Sequence, residues 1–358
     1  MKGRVLIAGF ATRHVAQSAW KAGYTVYAVD HFCDQDLSWY TRDRLKFEGL
    51  EELPDRIAEM AGRHRIDFFI PTSGAETIEV PIPLAGTDAP TAARFLDKLE
   101  VQRLFERKGI PVPPLAGERD FPYIIKPRRG AGGWRNSIIG SQDDLTRWLG
   151  ESRGTEAILQ KQVPGVPASV SCLADGSHAV AVAANEQLLR GGDGFPFGFV
   201  GSVTPLDHPL VERMKARAMG AAAESGCVGS VGVDFVLGED AWAIEVNPRF
   251  QATVDTVEAS TGLNLFSLHM AACRGILPST IPDPGCWAAR RIFFADRDLV
   301  VKEDLFRYAP GIADIPWPGT EFEEGQAVMS VLGRGVDRSG ALRDLGNTLN
   351  KLERYMGR

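Results

Sequence analysis

The stretch Val233-Asp234-Phe235-Val236-Leu237, a polar turn, and then Trp242-Ala243-Ile244-Glu245-Val246-Asn247-Pro248-Arg249 constrains this chain more than any other. Two apolar-rich runs flank Gly238-Glu239-Asp240, which predicts two antiparallel strands joined by a hairpin. Residues two apart share a face of a strand, so Glu245 and Asn247 point the same way, with Arg249 just past Pro248. With the turn centred on Glu239-Asp240, Asp234 lies opposite Glu245. Directly opposed like charges destabilise a sheet unless a cation neutralises them. Two carboxylates and an amide oxygen are hard ligands suited to Mg²⁺, which keeps several waters and bridges substrate phosphates. The alternative is a pair of solvated carboxylates and an Asn-Pro that simply ends the strand, since a residue before proline is restricted in any case.

A second feature favours the metal-bound nucleotide. Tyr123-Ile124-Ile125-Lys126-Pro127 is a short apolar strand closing on a lysine. Arg128-Arg129-Gly130-Ala131-Gly132-Gly133-Trp134-Arg135-Asn136-Ser137 follows, and then a second apolar strand, Ile138-Ile139. Glycine between two strands lets backbone N–H groups approach phosphate oxygens, while Lys126 and the arginines supply positive charge. G-x-x-x-x-G-K-[ST] occurs nowhere, so this is not a Walker A loop. A flexible glycine hairpin with solvated arginines is the bland alternative. A third segment, Ala157-Ile158-Leu159-Gln160-Lys161-Gln162-Val163-Pro164-Gly165, is in isolation a strand ending in a turn.

Around these features the chain divides into three parts. Residues 1–95 alternate Val5–Ala8, a helix over about His14–Ala22, Val26–Val29 and Phe68–Pro71, the grammar of a parallel βαβ lobe with helices on both faces. Asp30 ends the second strand where a dinucleotide's ribose could bind. The first turn, Gly9-Phe10-Ala11-Thr12-Arg13-His14, nevertheless lacks the G-x-G-x-x-G spacing, which makes a dehydrogenase the weakest reading. Thr91–Lys108 reads as one helix, and residues 96–284 as a central α+β region. Residues 285–358 carry short strands and a terminal helix, a small C-terminal lobe. Gly191 to Gly198, with Asp193, Phe195 and Phe197, reads either as a mobile substrate loop or as a surface turn.

Composition excludes several classes of function. A net charge of -6 without a basic stripe leaves no electrostatic footprint for nucleic acid. No run of about 18 apolar residues crosses a bilayer, and the amino terminus reads straight into a strand, so a cytoplasmic protein without membrane partners is expected. Five scattered cysteines without a C-x-x-C pair suit a reducing compartment, and six histidines lack metal-ligand spacing.

In this order, strand-Lys-Pro with a glycine loop, I-L-Q-x-x-V-P-G, then D-F-V with I-E-V-N-P-R, the chain resembles the ATP-grasp superfamily. The resemblance is closest to the carboxylate-amine ligase and carbamoyl-phosphate-synthase-like branches, and it covers roughly residues 95–280. It implies an ATP-grasp fold behind a Rossmann-like N-terminal lobe, with ATP and Mg²⁺ as cofactors and Mn²⁺ as a substitute. It implies that Lys98 and Lys126 contact ATP phosphates beneath a loop of Gly130, Gly132 and Gly133, and that Gln160, Lys161 and Val163 lie at the adenine. Asp234, Glu245 and Asn247 would hold the metal, while Arg249 stabilises the transferring group together with Lys126. Lys161 departs from the glutamate common at that position, and Gly165-Val166-Pro167 lacks the acidic residue that often follows. The turn after Pro71, with Ser73 and Glu76, is where relatives commonly seat a substrate, although Ser-Gly-Ala-Glu also makes an ordinary helix start. The implied activity is a ligase that converts a small-molecule carboxylate to an acyl phosphate and couples it to an amine. A bicarbonate-dependent carboxylase and a non-catalytic nucleotide-binding module are the alternatives, and a homo-oligomer is compatible with all three.

Overall fold

A computed structural model describes residues 2–130, 133, 135–191 and 197–355, so Gly132, Trp134 and Asp193 of the two glycine-rich stretches lie outside the described residues. The N-terminal lobe is a parallel sheet of β1 (Arg4–Gly9), β2 (Thr25–Asp30), β3 (Asp43–Lys46) and β4 (Phe68–Pro71) in the order β3-β2-β1-β4. Its helices are α1 (Arg13–Lys21), α2 (Leu37–Tyr40) and α3 (Leu53–Arg63). Alternation along β1 sends Val5 and Ile7 to the α1 side, with Val15 and Ala16. Leu6 and Ala8 go to the α3 side, with Leu53, Ile57 and Met60. Asp30 is consumed internally: its carboxylate accepts hydrogen bonds from Thr12 (N and Oγ1) and from the amides of Phe32 and Cys33. It ties the β1 and β2 turns together instead of facing a ribose.

Beyond this lobe come α4 (Ala89–Phe95) and α5 (Lys98–Arg107), where the sequence predicts one continuous helix. Asp97 breaks it. Its backbone is extended, with φ -101° and ψ 103°, and its carboxylate accepts from the amides of Leu99 and Glu100 as the cap of α5. Arg128 then binds the same carboxylate. Local capping thus outweighs helical periodicity at this position.

The small antiparallel sheet β6-β5-β7 is built from β5 (Tyr123–Pro127), β6 (Ser137–Ile139) and β7 (Ala157–Lys161) and is backed by α6 (Gln142–Glu151). Tyr123, Ile125 and Ile139 pack with Leu145 and Trp148 of α6 in a core of their own, which makes this sheet a separate flap. The opposite face carries Ile124 and Lys126 of β5 and, through the register, Ile158 and Gln160 of β7.

An eight-stranded sheet forms the body. Its strands β8 (Val166–Asp175), β9 (Ala179–Leu189), β10 (Phe199–Thr204), β11 (Val228–Leu237) and β12 (Ala241–Asn247) are covered on one face by α7 (Val211–Ser225). Helices α8 (Val254–Thr261) and α9 (Leu265–Ala272) join the N-terminal lobe in a shared core with Phe250 and Phe266. β13 (Trp287–Phe294) continues the sheet, followed in the chain by β14 (Leu299–Val300), β15 (Ile312–Ala313), β16 (Glu321–Phe322), β17 (Ala327–Gly335) and α10 (Arg338–Tyr355). The order β12-β11-β8-β9-β10-β13-β17-β15 therefore crosses residue 285 without a break, while β14 and β16 form a separate ribbon.

A buried ion cluster fastens the three parts. Arg13, only 3% exposed, donates to both oxygens of Asp255 at 2.8 and 2.6 Å and to Asp314 at 2.8 Å. Arg290 donates to Asp314 at 3.0 Å and to the carbonyl of Ala252 at 3.2 Å. Asp36 accepts the amides of Asp314 and Ile315, each at 2.9 Å. Removing one member of such a set leaves buried charge uncompensated, at a cost of about 3–5 kcal/mol. Arg13→Met is expected to lose about that much stability in urea unfolding followed by far-UV circular dichroism. A loss below about 1 kcal/mol would show that Arg290 alone balances the three aspartates.

Candidate active site

The β11–β12 hairpin carries the first group of candidate residues. Asp234 pairs with Glu245 and Val233 with Val246, as the turn position predicts, but the ladder shifts by one residue at Phe235, which faces Ala243. The pair nearest the turn, Leu237 with Ala241, centres on Glu239 alone, and the bulge at Ile244 restores the expected register. Asn247 reaches Asp234 at 3.3 Å and Glu245 at 3.4 Å through Nδ2, and Gln187 of β9 donates to Asp234 at 3.0 Å. Burial, and then the neighbouring Glu245, push the Asp234 carboxyl well above the usual carboxylate range. Without a cation, two acids so close favour holding a proton between them.

Two lysines face this pair. Lys126, at the end of β5 and 7% exposed, is pushed down by burial to about 8; Glu245 opposes the drop and Lys98 adds to it. Lys98, the first residue of α5, is lowered mainly by burial, against the pull of Glu245 and Asp97. Its ammonium donates to the carbonyl of Gly130 at 2.6 Å. The Asp97–Arg128 ion pair, at 2.8 Å, joins the start of α5 to the end of β5 and so sets the two lysines side by side. Lys98, Lys126, Gly130, Asp234, Glu245 and Asn247, predicted from three separate segments, thus converge between the flap and the body.

Arg249 closes the other side. Its Nε donates to Glu76 at 2.7 Å, one Nη to the carbonyl of Phe250 at 3.0 Å and the other to Asn247 at 3.4 Å. Glu76 also accepts the amide of Gly74 at 2.6 Å, in a turn and not at a helix start. Ser73 enters by its backbone, its carbonyl accepting the amide of Phe10 at 2.7 Å. The N-terminal turn thereby meets the hairpin arginine.

The remaining candidates lie on the flap. Gln160 shares a face with Lys126; its Nε2 donates to Gln102 at 2.6 Å, while its Oε1 is buried with no partner among the described residues. Lys161 is exposed at the end of β7, and Val163 is half-buried in the turn beyond it. Gly165 packs so tightly that an added Cβ would sit 2.4 Å from the carbonyl oxygen of Leu237, which docks this turn on the metal-candidate hairpin. Gly133, at φ +73°, leaves no room either: a Cβ would meet the carbonyl oxygen of Phe197 at 2.4 Å. The two glycine-rich stretches touch there. Sequence reasoning missed Asp97, Arg128 and Gln187. The Leu96-Asp97-Lys98 cap signal was available for the first, whereas the pairing of β9 and β11 around β8, which brings up Gln187, has no local signal.

The flap and the body thus meet with two lysines on one side and a pair of opposed carboxylates on the other. Residues 95–253 match the ATP-grasp domain family. It is 26% identical over 357 residues to the carbamoyl phosphate synthase large chain of Pseudomonas syringae pv. tomato, covering 89% of this chain and 31% of the relative. For the Thermus thermophilus large chain the identity is also 26%, covering 96% and 37%. The chain thus spans about a third of the length of these relatives. Among solved structures, the biotin carboxylase domain of Hydrogenobacter thermophilus 2-oxoglutarate carboxylase superposes with a TM-score of 0.80 at 15% identity, over 97% of this chain and 89% of that one. N5-carboxyaminoimidazole ribonucleotide synthetase in its ADP complex gives 0.75 at 16%, over 99% and 98%. These likenesses establish the shared fold.

Lys126 has a measurable signature. Its folded-state pKa, lowered to about 8, lies below that of the unfolded chain, which therefore binds more protons between the two values. Stability consequently rises with pH from about 8 towards about 10.4. The difference in urea midpoint between wild type and Lys126→Met is expected to shift in favour of the wild type across that window. A pH-independent difference would show that Lys126 is not desolvated.

Proposed function

We propose that this chain is an ATP-dependent ligase that phosphorylates a small-molecule carboxylate and passes the acyl group to an amine, releasing ADP and phosphate. The observation that carries the reading is the half-buried Asp234–Glu245 pair facing Lys98 and Lys126, with Arg249 beside it. The donor set fits Mg²⁺: two carboxylates are hard ligands, and a half-turn of the Asn247 amide, whose Nδ2 now faces them, would add its oxygen. No group of three or more His, Cys, Asp or Glu suited to a metal occurs among the described residues, so Asp234, Glu245 and Asn247 would hold Mg²⁺ together with phosphates and water. When bound, Mg²⁺ and ATP supply a polarised γ-phosphoryl group.

The chain's own residues then have distinct tasks. Lys98 and Lys126 balance phosphate charge, and the backbone around Gly130 and Gly133 closes over it. The orphaned Oε1 of Gln160 suits an adenine amino group, with the backbone of Lys161 and Val163 beside it. Arg249 steadies the charge that develops as the carboxylate oxygen attacks phosphorus and ADP departs. The amine nitrogen next attacks the acyl carbon, phosphate leaves, and the amine's proton passes to solvent. Glu76 holds the Arg249 guanidinium in place throughout. Five free thiols suit a reducing, cytoplasmic setting, and an acidic chain without a basic stripe suits small-molecule partners over nucleic acid. Bicarbonate in place of an organic acid would make the same site a carboxylase.

ADP release, screened over carboxylate and amine pairs with Mg²⁺, with and without bicarbonate, tests the reading. Glu245→Gln, which removes one negative charge at constant volume, is expected to lower ADP release at least 100-fold while leaving the thermal midpoint within about 2 °C of wild type. Undiminished turnover in that variant would falsify the metal assignment. A wild type that binds Mg·ATP but releases no ADP with any pair would point to a regulatory nucleotide-binding module.

A further inference from the structure

The carboxyl edge of β1, β2 and β4 carries three rings, Phe10, His31 and Phe32, and its turn after β4 holds Glu76, the partner of Arg249. Phe10, directly after β1, stacks on His31 with ring centres 4.6 Å apart and planes at 12°, and meets Phe32 edge-on at 5.2 Å. Phe10 is nonetheless 40% exposed. His31 is held by the carbonyl of Phe47, 3.1 Å from its Nδ1. Leu50 is 50% exposed and lies over Gly74, whose added Cβ would come within 2.8 Å of it. The amide of Phe10 is bonded to Ser73, Gly74 to Glu76, and Glu76 to Arg249. The rings therefore sit one short chain of hydrogen bonds away from the proposed reaction centre.

Phe10 is the exposed one of the three rings, and it stands at the carboxyl edge of a parallel sheet, where open α/β folds bind ligands. We infer that the non-nucleotide substrate seated over this lobe carries a flat aromatic group beside its reacting acid or amine, and that Phe10, braced by His31, is the surface it stacks on. This rests on the ligase reading above. Leu50, over Gly74, adds apolar surface, and Glu76 and Arg249 receive the polar end. The ring belongs either to the acid or to the amine, and both sources share this chemistry.

Phenylacetate against butyrate, and phenethylamine against butylamine, titrated by ligand-observed NMR with Mg²⁺ and a non-hydrolysable ATP analogue present, distinguish them. The aromatic member of at least one pair is expected to bind about tenfold more tightly than its alkyl counterpart. Phe10→Ala is expected to erase that preference and Phe10→Trp to keep it, both with unchanged nucleotide affinity. The pair that shows the preference identifies which substrate bears the ring. With nucleotide bound normally, equal affinity within both pairs, or a preference that survives Phe10→Ala, overturns this inference alone. Failure of the wild type to bind nucleotide overturns the ligase reading and this inference together.

Discussion

Two carboxylates facing each other across adjacent strands are unstable neighbours, and much of the molecule can be understood as the arrangement that makes them tolerable. Asp234 and Glu245 are brought together by backbone pairing, which is indifferent to their charge. Gln187 and Asn247 offer partial relief through amide hydrogens, and Lys98 and Lys126 supply positive charge opposite Glu245. Neither amide carries charge, and Lys126 is itself held near 8 by burial. The remaining imbalance is what the proposed Mg²⁺ would remove.

Because the flap has its own small core, it need not move with the body. What aligns the two is local: Asp97 caps α5 and binds Arg128 at the end of β5, while Gly165 seats the end of β7 against the hairpin turn. The lobes behind them are joined more rigidly. Arg13 and Arg290 draw aspartates from the N-terminal lobe, from α8 and from the C-terminal strands into one cluster, and Arg290 also grips the carbonyl of Ala252, three residues beyond Arg249. The lobes around Arg249 are thus anchored by buried charge, and the flap by a cap and two tight glycine contacts.

The hairpin was legible because strand alternation and a short polar turn are local signals, and Lys126 because a lysine closing an apolar strand beside glycines is conspicuous. Even there the agreement depended on a bulge at Ile244 that local periodicity does not announce. The α4–α5 break was misread as one helix, since apolar spacing continues through Leu96 and only the Asp97 carboxylate, turned on its own backbone and on Arg128, stops it. Glu76 was a weak candidate in sequence, because a turn residue's partner 173 positions away has no local trace.

By itself the amino-acid sequence determined the element types, the opposed acids, the lysine-closed strand and the glycine loop, all set by neighbours within about a dozen residues. Only the tertiary structure decided that Lys98 and Lys126 share one cleft with Asp234 and Glu245, that Glu76 holds Arg249, and that strands on both sides of residue 285 form one sheet. Long-range pairing of this kind depends on which faces remain to be buried once the local elements exist, and that is a property of the whole chain.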